Sequence, residues 1–188
     1  MPSFPKLRGP LTDSAVSVRY AAERDIPEVL IAYQDDPELH LRMGEERPPT
    51  GAELGRRAER AESDRIAGRG VTLTILKRGE GTCGGQVEVH RVDWDNARAE
   101  LGVWVAPQRR GRGLARRALV LVTRWLITEC GLARVQILTE PANARMIGAA
   151  RAAGFTYEGV LRGYTRGARG RIDMAVLAFI RGDLTRSG

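Results

Sequence analysis

Residues 101–125, LGVWVAPQRRGRGLARRALVLVTRW, constrain the rest of the chain more than any other stretch. Apolar residues run to Val105, Pro107 breaks them, glycines follow at 111 and 113, and apolar residues return at helical spacing from Leu114. The segment reads as strand, loop and helix. A helix start leaves backbone N–H groups without partners and carries about half a positive charge, so a loop converging on it suits an anion. Gly111 and Gly113 let the loop backbone approach that anion with no Cβ in the way. Arg109, Arg110, Arg112, Arg116 and Arg117 add positive charge, and the ligand class indicated is a pyrophosphate.

The common nucleotide motifs do not fit. A dinucleotide fingerprint needs glycine where Arg116 stands, and the GK[ST] ending of a Walker loop is absent. Residues 108–113, QRRGRG, resemble instead the [QR]xxGx[GA] signature of the GNAT superfamily, the acetyl-CoA-dependent N-acetyltransferases, whose loop binds the coenzyme A pyrophosphate. On their own these six residues could equally form an Arg-rich surface turn. The flanks extend the resemblance over residues 16–180. A strand-like run at 135–139 precedes NARMIGAARAAGF, which resembles the family's Asn-led helix and its Gly-Phe turn. VDWDNARAELGVWV and GFTYEGVLRGY resemble the branch that includes ribosomal-protein N-terminal acetyltransferases.

A length of 188 residues suits one domain with a substantial core, and 43% hydrophobic residues is ordinary for a globular protein. No run approaches a membrane span, and MPSFPKLRGP lacks the apolar centre of a signal peptide, so the expected location is the cytoplasm. Cys83 and Cys130 form no CxxC pair, His40 and His90 stand isolated, and neither a disulfide framework nor a metal site is expected. The net charge of +7 raises nucleic acid as a partner, but Lys occurs only at positions 6 and 77, so arginine supplies all but two of 30 basic residues. A GC-rich coding sequence gives that bias unaided, and aromatic platforms for bases are sparse. Nucleic acid is not the expected partner.

Residues 1–13 carry three prolines and no periodicity and read as a tail, 14–182 as the catalytic domain, and 183–188 as a second tail. Alternation at Val16, Val18 and Tyr20 predicts a strand, and Ile26, Val29, Leu30 and Tyr33 a helix behind Asp25. Thr50 caps a further helix whose Leu54, Ala58 and Ala61 face inward. Alternation at Val71, Leu73 and Ile75 and again over 86–92 predicts a hairpin turning through RGEGTCGG. The helix after Gly113 presents Leu114, Ala118, Leu121, Val122, Trp125 and Leu126, and Gly131 stops it. The strand at 134–139 runs parallel to the one at 99–105, and 156–164 with 172–180 makes a last hairpin through RGARGR. The expected fold is a single α/β domain of GNAT type, with a mixed, splayed sheet of about seven strands and helices on both faces.

The resemblance implies the site residues. Val103, Trp104 and Val105 offer backbone contacts to the pantetheine arm of acetyl-CoA, and a backbone N–H near Val105 serves the oxyanion. Gln108, Arg109, Arg110, Gly111, Arg112, Gly113 and Leu114 form the phosphate loop. Asn143 contacts the cofactor or caps its helix. Glu100 is the first choice for general base, or else a surface partner of Arg98, and Glu140 is the second. Related enzymes carry an acidic residue where Leu138 stands, and a Tyr or Ser where this chain has Ala150 and Met146. The general acid is therefore Tyr157 or Tyr164, or water protonates the thiolate, or the chain binds acyl-CoA and turns it over poorly. The acceptor is a primary amine: a protein N-terminus by the branch resembled, or a small molecule such as an antibiotic or polyamine. Glu45, Glu46, Glu53, Glu59 and Glu62 either attract that amine or pair with neighbouring arginines. A homodimer is compatible with the scaffold. The rival readings are an acyl-CoA sensor and a basic ribosome- or RNA-associated protein.

Overall fold

The computed structural model describes residues 3–167 and 170–186. In chain order the described elements are β1 (Leu11–Thr12), β2 (Val16–Tyr20), α1 (Ile26–Asp35), α2 (Leu39–Arg42), α3 (Gly51–Ile66), β3 (Val71–Lys77) and β4 (Cys83–Asp93). There follow β5 (Arg98–Val105), α4 (Leu114–Thr128), β6 (Arg134–Thr139), α5 (Ala144–Ala152), β7 (Thr156–Gly167) and β8 (Gly170–Ile180). All eight strands share one sheet in the order β1-β2-β3-β4-β5-β6-β8-β7, antiparallel except where β5 and β6 run parallel. The strand beyond the expected seven is the two-residue β1.

Period-two alternation divides the sheet into two faces. Val87, Val89, Ala99 and Leu101 turn toward α4, whose Leu114, Ala118, Val122, Trp125 and Leu126 are buried against them, with Ala150, Ala153 and Phe155 continuing the same core. Leu121 of the predicted stripe is only half-buried, and Gly131, at φ +79°, follows the helix end. The other face carries a smaller cluster in which Trp104 meets Val29, Ala32 and Tyr33 of α1 and Leu39 of α2. Helices thus lie on both faces. Thr50 caps α3 through a reciprocal capping box with Glu53, as its sequence predicts. Yet α3 buries none of its residues: Leu54 and Ala58 are half-buried and Ala61 is exposed.

Residues 3–13 are not a free tail. Phe4 is fully buried between Trp94 and Trp125, with ring centroids 5.2 and 6.0 Å away, and its N–H donates to the Arg65 carbonyl at 3.2 Å. Three prolines conceal this, because the contact depends on a tryptophan pair far along the chain. At the other end the chain continues from β8 into a 3-10 turn, Arg181–Arg186, where Asp183 accepts from the Ile180 N–H at 3.0 Å. Residues 168 and 169 of the expected RGARGR turn, and 187 and 188 of the tail, lie outside the described residues.

Candidate active site

β5 and β6 pair over three positions only, Arg98 with Arg134, Ala99 with Val135, and Glu100 with Gln136. Beyond them each keeps its outer neighbour, β5 with β4 as far as Val105 and β6 with β8 as far as Thr139. The sheet therefore parts between 101–105 and 137–139. α4 begins at the open end of this gap.

Two glycines of β4 allow that placement. A Cβ on Gly84 would stand 3.3 Å from Leu114 Cδ2, and one on Gly85 would stand 2.3 Å from the Trp104 carbonyl oxygen. The sequence RGEGTCGG predicts a flexible turn for this pair and Cys83; both glycines belong instead to the strand, with a bulge beside them. Gly111 and Gly113 each take φ +74°, a left-handed conformation costly for other residues, and Gly113 is the N-cap of α4. The cap supplies no side-chain acceptor and the first turn holds no acidic residue. Among the described residues nothing accepts from the N–H groups of 111–116. A pyrophosphate fits those donors.

The arginines of the loop divide into two kinds. Arg109 pairs with Glu80 at 2.7 Å and Arg117 with Asp13 at 2.8 Å. Arg110 binds Asp36 and donates through Nε to the Val105 carbonyl at 2.9 Å, tying the loop to the end of α1. Burial pushes the Asp36 carboxyl up, but hydrogen bonds from Arg110 and Arg42 outweigh it and hold the group below 3.8. Arg112 and Arg116 are exposed and have no carboxylate partner among the described residues. The charge of these two is not neutralised by an ion pair among the described residues, whereas Arg109 and Arg110 brace the loop. Gln108 lies beside Arg109 in the 3-10 turn Pro107–Arg109.

Asn143 is the N-cap of α5: its Oδ1 accepts from the Met146 N–H at 3.2 Å and its Nδ2 donates to Thr139 Oγ1 at 3.0 Å. It ties the end of β6 to the helix. Ala150 of α5 is fully buried, and Met146 is half-buried.

Glu100 lies where the parallel pair ends, 9% exposed, accepting from Gln136 Nε2 at 3.1 Å. Its other oxygen stands 3.6 Å from Arg91 Nη1. Arg91, Asp93, Arg98, Ala99, Glu100, Gln136 and Tyr164 line a cavity of about 240 Å³. The two tyrosines therefore separate. Tyr164 shares the Glu100 cavity, with its hydroxyl 3.4 Å from Arg91 Nη1, whereas Tyr157 packs on the core beneath Arg151, whose guanidinium is 5.2 Å from the ring centroid. Glu140 is exposed at the end of β6.

His90 and Glu88 escaped sequence reasoning. In the register His90 faces Glu100 and Glu88 faces Gly102, so both project on the Glu100 face of the sheet. Burial pushes the His90 imidazole below its ordinary 6.5, against the pull of Glu100, and leaves it neutral at pH 7. Burial, with Glu45 nearby, raises the Glu88 carboxyl, while Arg57 opposes. The signal was present as polar residues at 86, 88 and 90 alternating with buried valines. Glu45 is engaged by Arg57 at 2.7 Å and Tyr33 at 2.8 Å, and Glu53 by Arg47 at 2.6 Å, the ion-paired alternative for those residues. Burial pushes the Cys83 and Cys130 thiols up to about 12, which leaves neither as a thiolate nucleophile.

A mixed sheet that parts between its central parallel strands, with a glycine-led helix start at the mouth of the parting, defines an acyltransferase architecture. The chain belongs to the GNAT acetyltransferase family: the model of the acetyltransferase (GNAT) domain matches residues 16–156. An uncharacterized N-acetyltransferase p20 of Bacillus licheniformis is 31% identical over 102 residues, 54% of this chain. The chain spans about half (54%) of that relative's length. The ribosomal-protein-S5-alanine acetyltransferase of Vibrio fischeri superposes with a TM-score of 0.80 at 17% identity, covering 93% of this chain and 97% of that one. The microcin C7 self-immunity acetyltransferase MccE, solved with acetyl-CoA and AMP, gives 0.77 at 19% identity, covering 89% and 93%. At these identities the likeness is one of fold. Among the described residues no helix is long and apolar enough to cross a membrane.

Proposed function

We propose that this chain moves an acetyl group from acetyl-CoA to a primary amine. The observation that carries the reading is the parting of β5 from β6 after Glu100 and Gln136, with the Gly113-led start of α4 at its open end. Acetyl-CoA supplies an activated thioester. The N–H groups of 111–116, with Arg112 and Arg116, hold the pyrophosphate, and the backbone of Val103, Trp104 and Val105 lines the gap as a strand edge that can accept an extended chain. The Val105 carbonyl accepts from Arg110 Nε, which leaves Val105 the N–H as its oxyanion donor.

Glu100 takes the proton of the acceptor amine, held in place by Gln136 and backed across the strands by neutral His90. Tyr164, which lines the same cavity, is the proton donor to the departing thiolate. A ribosomal-protein acetyltransferase and a microcin self-immunity acetyltransferase share this fold, so the amine itself is chosen by the cavity walls.

Thiol release from acetyl-CoA across a panel of peptide N-termini and small amines tests the proposal. Release above the hydrolysis background supports it. Tight coenzyme A binding with no release for any amine replaces it with the sensor reading, which the buried Ala150 and half-buried Met146 on α5 would then explain.

A further inference from the structure

We infer that Arg91 selects the acceptor, by holding a carboxylate or phosphate that a small acceptor carries a few bonds from its amine. The inference rests on the transferase reading with Glu100 as base. It begins with a defect in the sheet: between His90 and Asp93, β4 has one residue more than its partner, and Arg91 takes that bulge at φ +48°. A left-handed bulge residue is ordinarily glycine, so the backbone does not call for arginine there. Residues held in such conformations cluster at ligand sites, and this one sends its side chain to the wall of the Glu100 cavity.

The charges in that cavity are unevenly satisfied. Arg98 is closed off by Asp93 at 3.0 Å. Among the described residues Arg91 has only long contacts, 3.4 Å to the Tyr164 hydroxyl and 3.6 Å to Glu100 Oε2, against the 2.7–2.9 Å of a charge-assisted hydrogen bond. Glu100 Oε1 is occupied by Gln136, so its second oxygen faces Arg91 with no closer partner among the described residues. A loosely held cation and a loosely held carboxylate oxygen thus stand side by side.

A plain ammonium approaching Glu100 meets the like charge of Arg91 beside it. A second anion on the acceptor removes that repulsion, because its ammonium faces Glu100 while its carboxylate or phosphate faces Arg91. The guanidinium also favours the uncharged amine that the reaction needs. The acceptor class is therefore a small zwitterionic amine, such as an amino acid or an amino phosphate. Polyamines and uncharged peptide N-termini are disfavoured.

The test is thiol release by the full chain with matched acceptors: phenylalanine against phenethylamine, alanine against ethylamine, O-phosphoethanolamine against ethanolamine, and a neutral peptide amide. In wild type the anion-bearing member leads by roughly 30-fold in kcat/KM, and the carboxylate and phosphate pairs tell which anion is bound. Arg91→Gln and Arg91→Gly should both bring that ratio to within about threefold, with Arg91→Lys restoring part of it. Because glycine takes φ +48° without strain, Arg91→Gly should melt no lower than wild type, which separates lost selectivity from lost folding. A wild-type ratio near one, a preference for the plain amine or peptide, or a ratio untouched by the substitutions overturns the inference and leaves the transferase standing. Failure of every amine to release thiol overturns both.

Discussion

Glu100 and Gln136 are the last residues at which the two central parallel strands remain neighbours, and their side chains are joined by a 3.1 Å hydrogen bond. The candidate base is thus fixed at the apex of the gap by the strand that departs from it. Glu100→Gln keeps the shape and removes the proton acceptor. It should lower kcat by about 100-fold with coenzyme A affinity unchanged. Steady-state kinetics alongside calorimetry reads both; a wild-type rate moves the base to His90 or Glu140.

The separation of the two tyrosines gives a second expectation. Tyr164→Phe removes the hydroxyl facing the Glu100 cavity and should lower kcat by about tenfold or more, whereas Tyr157→Phe should stay within about twofold. Equal rates for both variants indicate unassisted departure of the thiolate.

Coenzyme A binding should depend on the two left-handed glycines. No described atom lies within 4 Å of a Cβ built on Gly111 or Gly113, so a substitution strains the backbone without a steric clash. Gly111→Val with Gly113→Val should weaken binding by about 100-fold or more, given the cost of a β-branched residue at φ +74° and the loss of converging N–H groups. Calorimetry measures the loss, and circular dichroism confirms that the sheet persists.

Phe4→Ala should destabilise the fold by about 3 kcal/mol, the usual cost of deleting a buried ring, and lower Tm by roughly 6 to 12 °C. A melt unchanged by this substitution would return residues 3–13 to the status of a tail.

Asp25 gives the pH dependence. It is 3% exposed and accepts from Arg19 Nη2 at 2.6 Å, Thr74 Oγ1 at 2.6 Å and the Ala22 N–H at 3.0 Å. Burial pushes its carboxyl up, yet these bonds together bring it below 3.8. A group lowered on folding stabilises above its unfolded pKa and loses that contribution as pH falls through the folded one. Stability should therefore decline below about pH 4, and Asp25→Ala, which strands Arg19, should cost about 3 kcal/mol at pH 7. Chemical denaturation of both proteins at pH 7 and pH 3 should show the difference shrinking in acid.

What could be read in advance was whatever is local in the chain. The strand, loop and helix around Pro107, the Thr50 cap and the Gly131 stop each follow from neighbouring residues, and the structure has them. The loop glycines were legible for the same reason. What stayed hidden depends on partners far apart: Arg110 meets Asp36 across 74 positions, and Phe4 finds its place only beside Trp94 and Trp125. Arg109 and Arg110 thus looked like ligand charges although acidic residues already hold them. The bulge at Arg91 is a matter of register, which alternation does not encode, and its consequence for the Glu100 cavity could not be read from residue types.

Sheet edges usually lie at the rim of a protein, where their unpaired N–H and C=O groups invite association with other chains. Here a second pair of edges, 101–105 and 137–139, lies inside the sheet, each strand complete on its outer side. Such a recess suits a single slender chain that bonds along one wall. Filling it would finish a sheet that folding leaves unzipped, so occupancy should stiffen the molecule from its centre outward, slowing amide exchange first in those two stretches.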